Sequence, residues 1–329
     1  MNIYITLDYE IYFGANHGTV EKCILYPTSE LIRIAESTGT RFVFFVDIGF
    51  ILKLDEFRKK FPQLEKDYLS IVEQVKYLSD TGHDVQLHIH PHWEDSYYNG
   101  TRWIIDVKRY KLADFDDEQI GSIVRRYKKG LEEITGKAAF AFRAGGWCLQ
   151  PFSKLEKVFR ELGVRVDSSV FRNGYFASEQ YSYDFRNAPD KDLYRFESDV
   201  TIEQKEGYFT EVPISPIRNS PLFFWKLFLL GRKDPYMHKP LGDGQAMPAP
   251  GYRKKLLTKF TNNPVSVDGY NSQLLQKALN RLHKEKRGNM VVIGHPKALS
   301  RHSLKKLEEF IQQNKGQHEF STFAKTFPG

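Results

Sequence analysis

The stretch Asp84-Val85-Gln86-Leu87-His88-Ile89-His90-Pro91-His92-Trp93 places three histidines within five residues, directly after an apolar run typical of a β-strand. Side chains at positions i, i+2 and i+4 of an extended chain share one face. Pro91 cannot donate to a strand ladder, so we expect the strand to end near His90. Imidazole is a common ligand of zinc and related metals, whereas the alternative is a polar strand end with solvated histidines. The pattern predicts a metal-binding strand end.

Strand-like and helix-like segments alternate on both sides of this stretch. Apolar β-type runs lie at 3–7, 41–46, 84–87, 138–142, 164–166 and 289–293, and helical patterns lie at 28–38, 64–80, 117–135, 271–286 and 302–314. A further helix is expected from the apparent capping box Ser153-Lys154-Leu155-Glu156. The segment 172–250, rich in Tyr, Phe, Pro and Gly, is expected to be irregular, with a hairpin over 194–213. The alternation predicts βα units around a parallel sheet.

Potentially reactive side chains directly follow five of the predicted strands. These are Asp8 with Glu10, the histidines of 88–92, Arg143, Asp167 and His295. Each residue alone could be a cap, a turn residue, a solvated strand end or part of a surface salt bridge. Parallel βα folds build active sites at the carboxyl ends of their strands, however. The shared position therefore favours one functional site.

The residue types suggest hydrolytic chemistry. One carboxylate with two imidazoles is a ligand set of catalytic zinc sites that keep a position open for water. A second carboxylate, from Asp8 or Glu10, could take a proton from that water. Arg143 could hold such a base ionised, since a guanidinium binds a carboxylate through two hydrogen bonds. His295 could protonate a leaving amine, and Asp167 could orient it.

Composition limits the class of protein. The 329 residues have 41% hydrophobic and 27% charged content and a net charge of +7, which is typical of a soluble globular chain. No basic run is dense enough to predict nucleic-acid binding. Two cysteines far apart form no disulfide framework, and the first residues lack the basic start and apolar core of a secretion signal. We therefore expect a cytoplasmic protein.

Five short motifs in order resemble those of the polysaccharide deacetylases, carbohydrate esterase family 4. They are Thr6-Leu7-Asp8-Tyr9-Glu10, His88-Ile89-His90-Pro91-His92, Arg143-Ala144-Gly145-Gly146-Trp147, Asp167-Ser168-Ser169 and Val292-Ile293-Gly294-His295-Pro296. The resemblance spans about residues 3–297. It implies an α/β fold, a deformed (β/α)7 barrel, as a single catalytic domain over 1–329 with an insertion or lid around 172–250. It also implies metal-dependent removal of an N- or O-acetyl group from a sugar.

The resemblance assigns roles to individual residues. Asp8 would be the catalytic base, His88 and His92 would be metal ligands, and Arg143 would position the base. His295 would be the acid, tuned by Asp167. The family's usual pair of adjacent aspartates is replaced here by Asp8-Tyr9-Glu10, which makes Glu10 the candidate third ligand. His90 is an additional candidate ligand.

The protein is therefore expected to be a hydrolase that removes an acetyl group from a saccharide or saccharide precursor in cell-surface polysaccharide metabolism. An N-acetyl group is the expected target. The expected cofactor is a divalent metal, zinc by preference. Tyr9, Trp93 and Trp147, within or beside the motifs, are candidates for contacting the saccharide. Three alternatives stay open: a metal-independent amidohydrolase on the same fold, a glycoside hydrolase using a carboxylate pair, and a non-catalytic carbohydrate-binding protein.

One apolar stretch has no place in these motifs. Nine of the ten residues in 221–230 are apolar, and Gly231-Arg232-Lys233 follows. Ten residues are too few to span a bilayer, which takes roughly 20. The segment is either a buried helix or lid, or a peripheral membrane contact over 221–233 in which Trp and Phe enter the lipid surface and the cations meet anionic head groups.

Overall fold

The structure is a computed structural model that describes residues 1–247, 249 and 251–327. The chain forms two compact units. The first unit comprises Met1–Phe42 and Ile214–Thr322, and the second comprises Val43–Pro213 and the residues from Phe323 onward. The assignment of 1–329 to a single domain stays a prediction.

The first unit is built on the strand Asn2–Tyr9, which is buried on both faces. It pairs in parallel with Asn289–Gly294, from Asn2 opposite Asn289 to Leu7 opposite Gly294, and with Glu319–Phe320. A separate antiparallel pair joins Pro216–Asn219 to Thr261–Pro264. The longer helices are Tyr26–Thr38, Pro221–Lys233, Tyr252–Thr258, Leu275–Lys284 and Arg301–Asn314, and shorter helical turns are Glu21–Leu25, Pro235–His238, Gly269–Leu274 and Pro296–Ala298.

Six strands of the second unit lie side by side, in the order Tyr194–Phe196, Phe209–Glu211, Val166–Asp167, Ala141–Ala144, Asp84–Ile89 and Val43–Asp47. Neighbouring strands in this order are parallel, except that Tyr194–Phe196 and Phe209–Glu211 are antiparallel and form the predicted hairpin. Two small antiparallel pairs are Tyr97–Tyr98 with Trp103–Ile104 and Tyr175–Ala177 with Ser182–Asp184. The α-helices are Ile48–Arg58, Glu65–Asp80, Asp117–Thr135, Glu156–Glu161 and Phe323–Thr326, and short 3₁₀ turns are Pro62–Leu64, Pro91–Glu94, Leu112–Asp114, Gly145–Trp147 and Phe152–Lys154.

Local sequence signals explain where several helices begin and end. Tyr26–Thr38 has a proline in its first turn and ends at Gly39, whose φ of 71° needs a residue without a side chain. Asp117–Thr135 begins at a capping box between Asp116 and Gln119. The predicted bounds of both helices are confirmed to within two residues.

Two expectations about elements are wrong in detail, and one helix was not predicted. Ser153 lies inside the 3₁₀ turn Phe152–Lys154, and the following helix starts at Glu156 without a side-chain cap, so there is no capping box. The helix Ile48–Arg58 was not predicted, because it follows the apolar strand Val43–Asp47 without a turn residue between them. The segment 172–250 is only partly irregular, and its residues Pro248 and Pro250 lie outside the described residues.

The apolar stretch after residue 220 forms the helix Pro221–Lys233, with the Ser220 hydroxyl capping its first turn. Phe224 is its only buried residue, so the buried-helix alternative is wrong, whereas the lid and the peripheral membrane contact stay predictions. Leu222 is 78% exposed and Leu229 is 60% exposed. Among the described residues, no helix combines the length and the apolar character that crossing a bilayer would require.

Candidate functional site

Two parallel strands of the first unit deliver Asp8 and His295 to the same sheet edge. Leu7 pairs with Gly294, and the next residues along the two strands are Asp8 and His295. Because both strands run the same way, their carboxyl ends coincide. His295 Nε2 lies 3.6 Å from Asp8 Oδ2 and 3.9 Å from Glu10 Oε1. We call Asp8, Glu10, Asp268, His295 and Lys297 the His295 cluster.

His295 is oriented by Asp268. The two oxygens of this carboxylate accept hydrogen bonds from the His295 backbone N–H and from Nδ1, both at 2.8 Å. A proton on Nδ1 leaves Nε2 facing Asp8 and Glu10. His295 is partly exposed, so its ring can exchange a proton with a bound molecule. The pair is a histidine with an orienting acid, the arrangement expected of a general acid–base residue.

The surrounding charges favour the protonated form of His295. Burial opposes the imidazolium, but the charge and hydrogen bond of Asp268 outweigh it, and Asp8 and Glu10 add to the effect. Together they raise the pKa of His295 to about 9. The raised pKa favours the imidazolium form of His295 at neutral pH, which is the form that can donate a proton.

The approach of Asp268 depends on a glycine. Ser266 bridges to Ile293, which brings 265–268 alongside the strand Asn289–Gly294. A Cβ added at Gly294 would lie 2.2 Å from Val267 Cγ2. A side chain at position 294 would press on the Val267 side chain, so glycine here lets 265–268 lie against the strand and brings Asp268 to His295.

Glu10 is paired with a buried lysine. Lys297 Nζ donates to Glu10 Oε1 at 2.8 Å and to the backbone carbonyl of Ile11 at 2.6 Å. The ammonium also lies 4.9 Å from the ring centroid of Tyr12, whose hydroxyl donates to the Lys297 carbonyl at 3.0 Å. A fixed internal cation therefore balances the charge of Glu10 and aims its carboxylate.

In the second unit, the strand Asp84–Ile89 presents the histidines. His88 Nδ1 lies 2.9 Å from the carbonyl oxygen of Arg143, an acceptor, so Nδ1 carries the hydrogen. His88 Nε2 then keeps its lone pair, the state that a metal ligand needs. His90 Nε2 lies 3.1 Å from His88 Nε2. Two ring nitrogens this close can bind one ion or share one proton.

His90 and His92 are held by Tyr110. The ring of His92 stacks on Tyr110 at 5.4 Å with an interplanar angle of 2°, and His90 meets the same ring edge-on. A Cβ at Gly145 would lie 2.5 Å from the His90 ring, so this glycine also fixes the place of His90. The structure thus puts His90, the extra histidine of the motif, next to His88.

Arg143 is completely buried. Its Nε donates to the Ser168 carbonyl at 2.7 Å, its Nη2 donates to Ser168 Oγ at 3.0 Å, and its guanidinium lies 4.2 Å from the Phe45 ring centroid. Ser168, from the Asp167-Ser168-Ser169 motif, therefore fixes the position of the Arg143 guanidinium. The expected action of Arg143 on the base stays a prediction.

Asp167 is paired with a carboxyl group that the sequence did not single out. Its oxygens accept hydrogen bonds from the backbone N–H and hydroxyl of Ser169, at 3.0 and 2.8 Å. Glu211, opposite Asp167 in the neighbouring strand, is also fully buried. Burial, followed by the charge of Asp167, raises the pKa of Glu211 well above its usual range, and burial raises the pKa of Asp167 as well. The neutral, protonated form of Glu211 is therefore favoured in the folded chain.

The candidate saccharide-binding residues separate into two kinds. Trp93 and Tyr9 are almost wholly buried, and Trp93 Nε1 donates to Asp47 Oδ2 at 2.7 Å. Neither side chain offers a surface to a saccharide, so these two expectations are corrected to core residues. Trp147 is half-buried, has a φ of 59°, and meets the rings of Phe171 and Tyr183 edge-on. It alone of the three keeps an accessible face.

Sequence reasoning missed three residues of these clusters. The orienting partner at His295 Nδ1 is Asp268, a role that the motif order had given to Asp167. Lys297 and Glu211 were also passed over. Asp268 could have been found as the polar end of Val265-Ser266-Val267, and Lys297 as the cation two residues after His295. Glu211 gave no signal beyond its place in the predicted hairpin.

The fold is similar to that of several solved structures at low sequence identity. A protein from Mycobacterium smegmatis assigned as a polysaccharide deacetylase is 14% identical, with a TM-score of 0.52 over 99% of this chain and 88% of that chain. An allantoinase is 12% identical, with a TM-score of 0.53 over 100% and 91% of the two chains. A GH57 branching enzyme from Thermococcus kodakaraensis is 12% identical, with a TM-score of 0.55 over 100% and 71%. No family model and no curated protein sequence matches the chain.

At these identities the similarity shows the fold and leaves the activity open. The structures with a similar fold include a protein assigned as a polysaccharide deacetylase, an allantoinase and a branching enzyme, so proteins with different activities share this fold. The chain has the mixed α/β fold of the polysaccharide deacetylase type, a deformed (β/α)7 barrel, as its sequence predicts.

Proposed function

We propose that this protein is a metal-dependent hydrolase that removes an acetyl group, with N-acetyl as the expected linkage, from a saccharide or saccharide precursor. The observation that carries the proposal is the position of His295, whose Nδ1 is held by Asp268 and whose Nε2 lies beside Asp8. A cationic proton donor next to a carboxylate suits cleavage of an amide, whose nitrogen must gain a proton before it leaves. The similarity in fold to a protein assigned as a polysaccharide deacetylase adds support.

The donor set fits a divalent ion, and we expect zinc. His88 and His90 are buried and bring their Nε2 atoms within 3.1 Å of each other, and Glu10, which is also buried, is the candidate third ligand from the motif order. His88 has the tautomer of a metal ligand, because its Nδ1 hydrogen is engaged by a carbonyl. We assign Glu10 and His88 as ligands, with His92 or His90 as the second imidazole. A bound divalent ion would polarise the acetyl carbonyl and make water more acidic.

The protein's own residues would move the protons. Asp8 takes one proton from the attacking water, and the C–N bond breaks as His295 Nε2 gives its proton to the departing nitrogen. The products are acetate and a free amine. Arg143 keeps Asp8 ionised, and Asp167 supports the arrangement, both as expected from the motif order. Trp147 is the proposed saccharide contact.

Acetate release tests the proposal directly. Purified protein should release acetate from a panel of N-acetylated saccharides, and its metal content should be measured on the same sample. His295→Gln should abolish most of the release while leaving the metal content unchanged, since general acid catalysis contributes about 10²–10⁴-fold. Release of reducing ends without acetate would instead identify a glycoside hydrolase.

The Lys297–Glu10 ion pair favours a second candidate, a metal-independent amidohydrolase. An ammonium 2.8 Å from Glu10 Oε1 already supplies a positive charge where the first candidate requires an ion. Turnover that persists in protein stripped by a chelator, with no metal detected, would support this second function over the first.

A peripheral membrane contact through 221–233 is also part of the proposal. It would suit an acetylated saccharide attached to a lipid carrier. Acetate release from the lipid-linked substrate, compared with release from the free saccharide, tests that preference.

A further inference from the structure

We propose that the helices Pro221–Lys233 and Tyr252–Thr258 together form a docking surface for an anionic lipid bilayer. We call these two helices the docking surface. The inference rests on the peripheral contact through 221–233 in the proposed function and extends it to a second helix and a lipid charge. It concerns attachment and not turnover, so it can fail or hold whatever the outcome of the acetate-release test.

The exposed face of the first helix mixes apolar and basic side chains. Leu222, Trp225 and Leu229 recur at the i, i+3 and i+7 positions of one face and are 78%, 51% and 60% exposed. On the same face lie the exposed side chains of Lys226, Arg232 and Lys233. Large exposed apolar side chains flanked by cations are the signature of a helix that lies in a bilayer interface.

The second helix packs beside the first and extends its charge. Trp225 Nε1 donates to the Leu257 carbonyl at 3.1 Å, and the Arg253 guanidinium lies 4.6 Å from the Phe228 ring centroid. Lys254 and Lys255 follow on the same helix, and both are exposed. The two helices contain no acidic residue. They therefore present one continuous surface that is both basic and apolar.

The charge balance of the surrounding segment identifies the occupant. Residues 214–264 contain nine lysines and arginines against two aspartates, Asp234 and Asp243. Asp234 caps the next helical turn through the Met237 backbone, and Asp243 binds Thr19 and Lys22. A second copy of the chain would bring like charges together, whereas an anionic bilayer offers negative head groups and an apolar interior at once. Trp and Leu would enter the interface while the cations stay at head-group level.

Vesicle co-sedimentation of the full chain tests the inference. We expect binding to phosphatidylglycerol-containing vesicles, none to phosphatidylcholine alone, and release at high salt, where charges are screened. Leu222→Ser/Leu229→Ser should abolish binding. Lys233→Glu/Lys254→Glu should lower it at least about tenfold, since each basic side chain near the surface contributes about fivefold. Matched controls on other exposed surfaces, Leu69→Ser and Lys157→Glu, should bind like the parent.

Two outcomes would overturn the inference. The first is parent protein that stays in solution with anionic vesicles, or that binds neutral vesicles equally well. The second is a parent dimer, seen by sedimentation velocity, that becomes monomeric in Leu222→Ser/Leu229→Ser without any vesicle binding, because a second copy would then be the occupant. The first outcome is measured on the unmodified protein alone, so this test of the inference remains valid even if the variants do not fold.

Discussion

The ring of His295 depends on Asp268, which lies 27 positions earlier in the chain. Sequence reasoning found His295 because it follows a buried strand, but it could not find Asp268. The segment 265–268 joins the neighbouring strand through an isolated bridge, so it lacks the apolar run of a predictable strand. Lys297 escaped for a related reason, because a lysine in a sequence is assumed to be solvated.

Asp268→Asn should shift the pH dependence of acetate release. The folded-state pKa of His295 is raised to about 9 from 6.5, so the acid form is present below about 9 and lost as pH rises through that value. Removing the Asp268 charge should lower this pKa, and the alkaline limb of the kcat/KM profile should move to lower pH. The stability that His295 contributes should be lost over the same lower interval.

The matched control is Asp80→Asn, which changes an exposed carboxylate that forms an ion pair with Lys76. It should leave the alkaline limb in place. An unmoved limb in Asp268→Asn would remove this pair from the proton-donating role. NMR titration of the His295 ring reports the same pKa without turnover.

Metal content of single alanine variants should resolve the histidine ligands. His88→Ala should lower metal affinity by more than the roughly 10–100-fold typical of losing a supporting residue. The 3.1 Å separation of the His88 and His90 Nε2 atoms predicts a larger loss in His90→Ala than in His92→Ala. The i, i+4 spacing of the motif predicts the reverse order. Stoichiometric metal in His88→Ala would exclude the site as proposed.

At the scale of secondary-structure elements, the sequence was most informative where an apolar period coincided with an end signal. The helix Asp117–Thr135 has both a capping box and a following Gly136 in the left-handed region, and its bounds were predicted correctly. The helix Ile48–Arg58 has neither signal, and its apolar residues continue those of the preceding strand. A buried helix of this kind cannot be separated from a strand by periodicity alone.

Gly294→Ala should push the segment 265–268 away from the strand Asn289–Gly294. Its new Cβ would meet Val267 Cγ2, forcing 265–268 away from the strand Asn289–Gly294. We expect a stability loss of about 1–3 kcal/mol, as for other overpacked sites, and a fall in kcat as Asp268 leaves His295. The measurements are the urea denaturation midpoint and acetate release.

Gly316→Ala is the control for this substitution, because nothing lies within 4 Å of a Cβ at that position. It should change neither quantity appreciably. Unchanged stability in Gly294→Ala would mean that the close packing of Val267 on Gly294 does not constrain the site.

At the scale of the whole molecule, the alternation of strands and helices was enough to predict the α/β class and the barrel type. It could not predict how buried charge is distributed, because that depends on which strands become neighbours. Asp167 and Glu211 are 44 positions apart in the chain, yet they face each other across paired strands. Because both carboxyl groups are buried, their ionisation should change how the free energy of unfolding depends on pH.

Glu211→Gln should make that stability less dependent on pH. Glu211 is protonated in the folded chain at pH values where an unfolded glutamate is ionised, so folding takes up a proton and stability falls as pH rises above about 4.5. Glutamine imitates the protonated form of Glu211, so the variant takes up no proton at this position and loses this pH dependence of stability. The variant should therefore gain stability relative to the parent between pH 4.5 and pH 8, as measured by urea denaturation.

Glu133→Gln, at a carboxylate that is 66% exposed, is the control and should follow the parent. A constant difference between Glu211→Gln and the parent across this range would show that Glu211 is not the protonated partner.

The exposure of Trp225 gives the protein a built-in optical reporter. Of its four tryptophans, Trp93 and Trp103 are buried and Trp147 is half-buried, whereas Trp225 is 51% exposed. Iodide should therefore quench the Trp225 emission first, and Trp225→Phe should leave a spectrum shifted to the blue. Lipids brominated at successive acyl positions would quench this one indole according to its depth, so its fluorescence can measure how far the helix Pro221–Lys233 enters a bilayer.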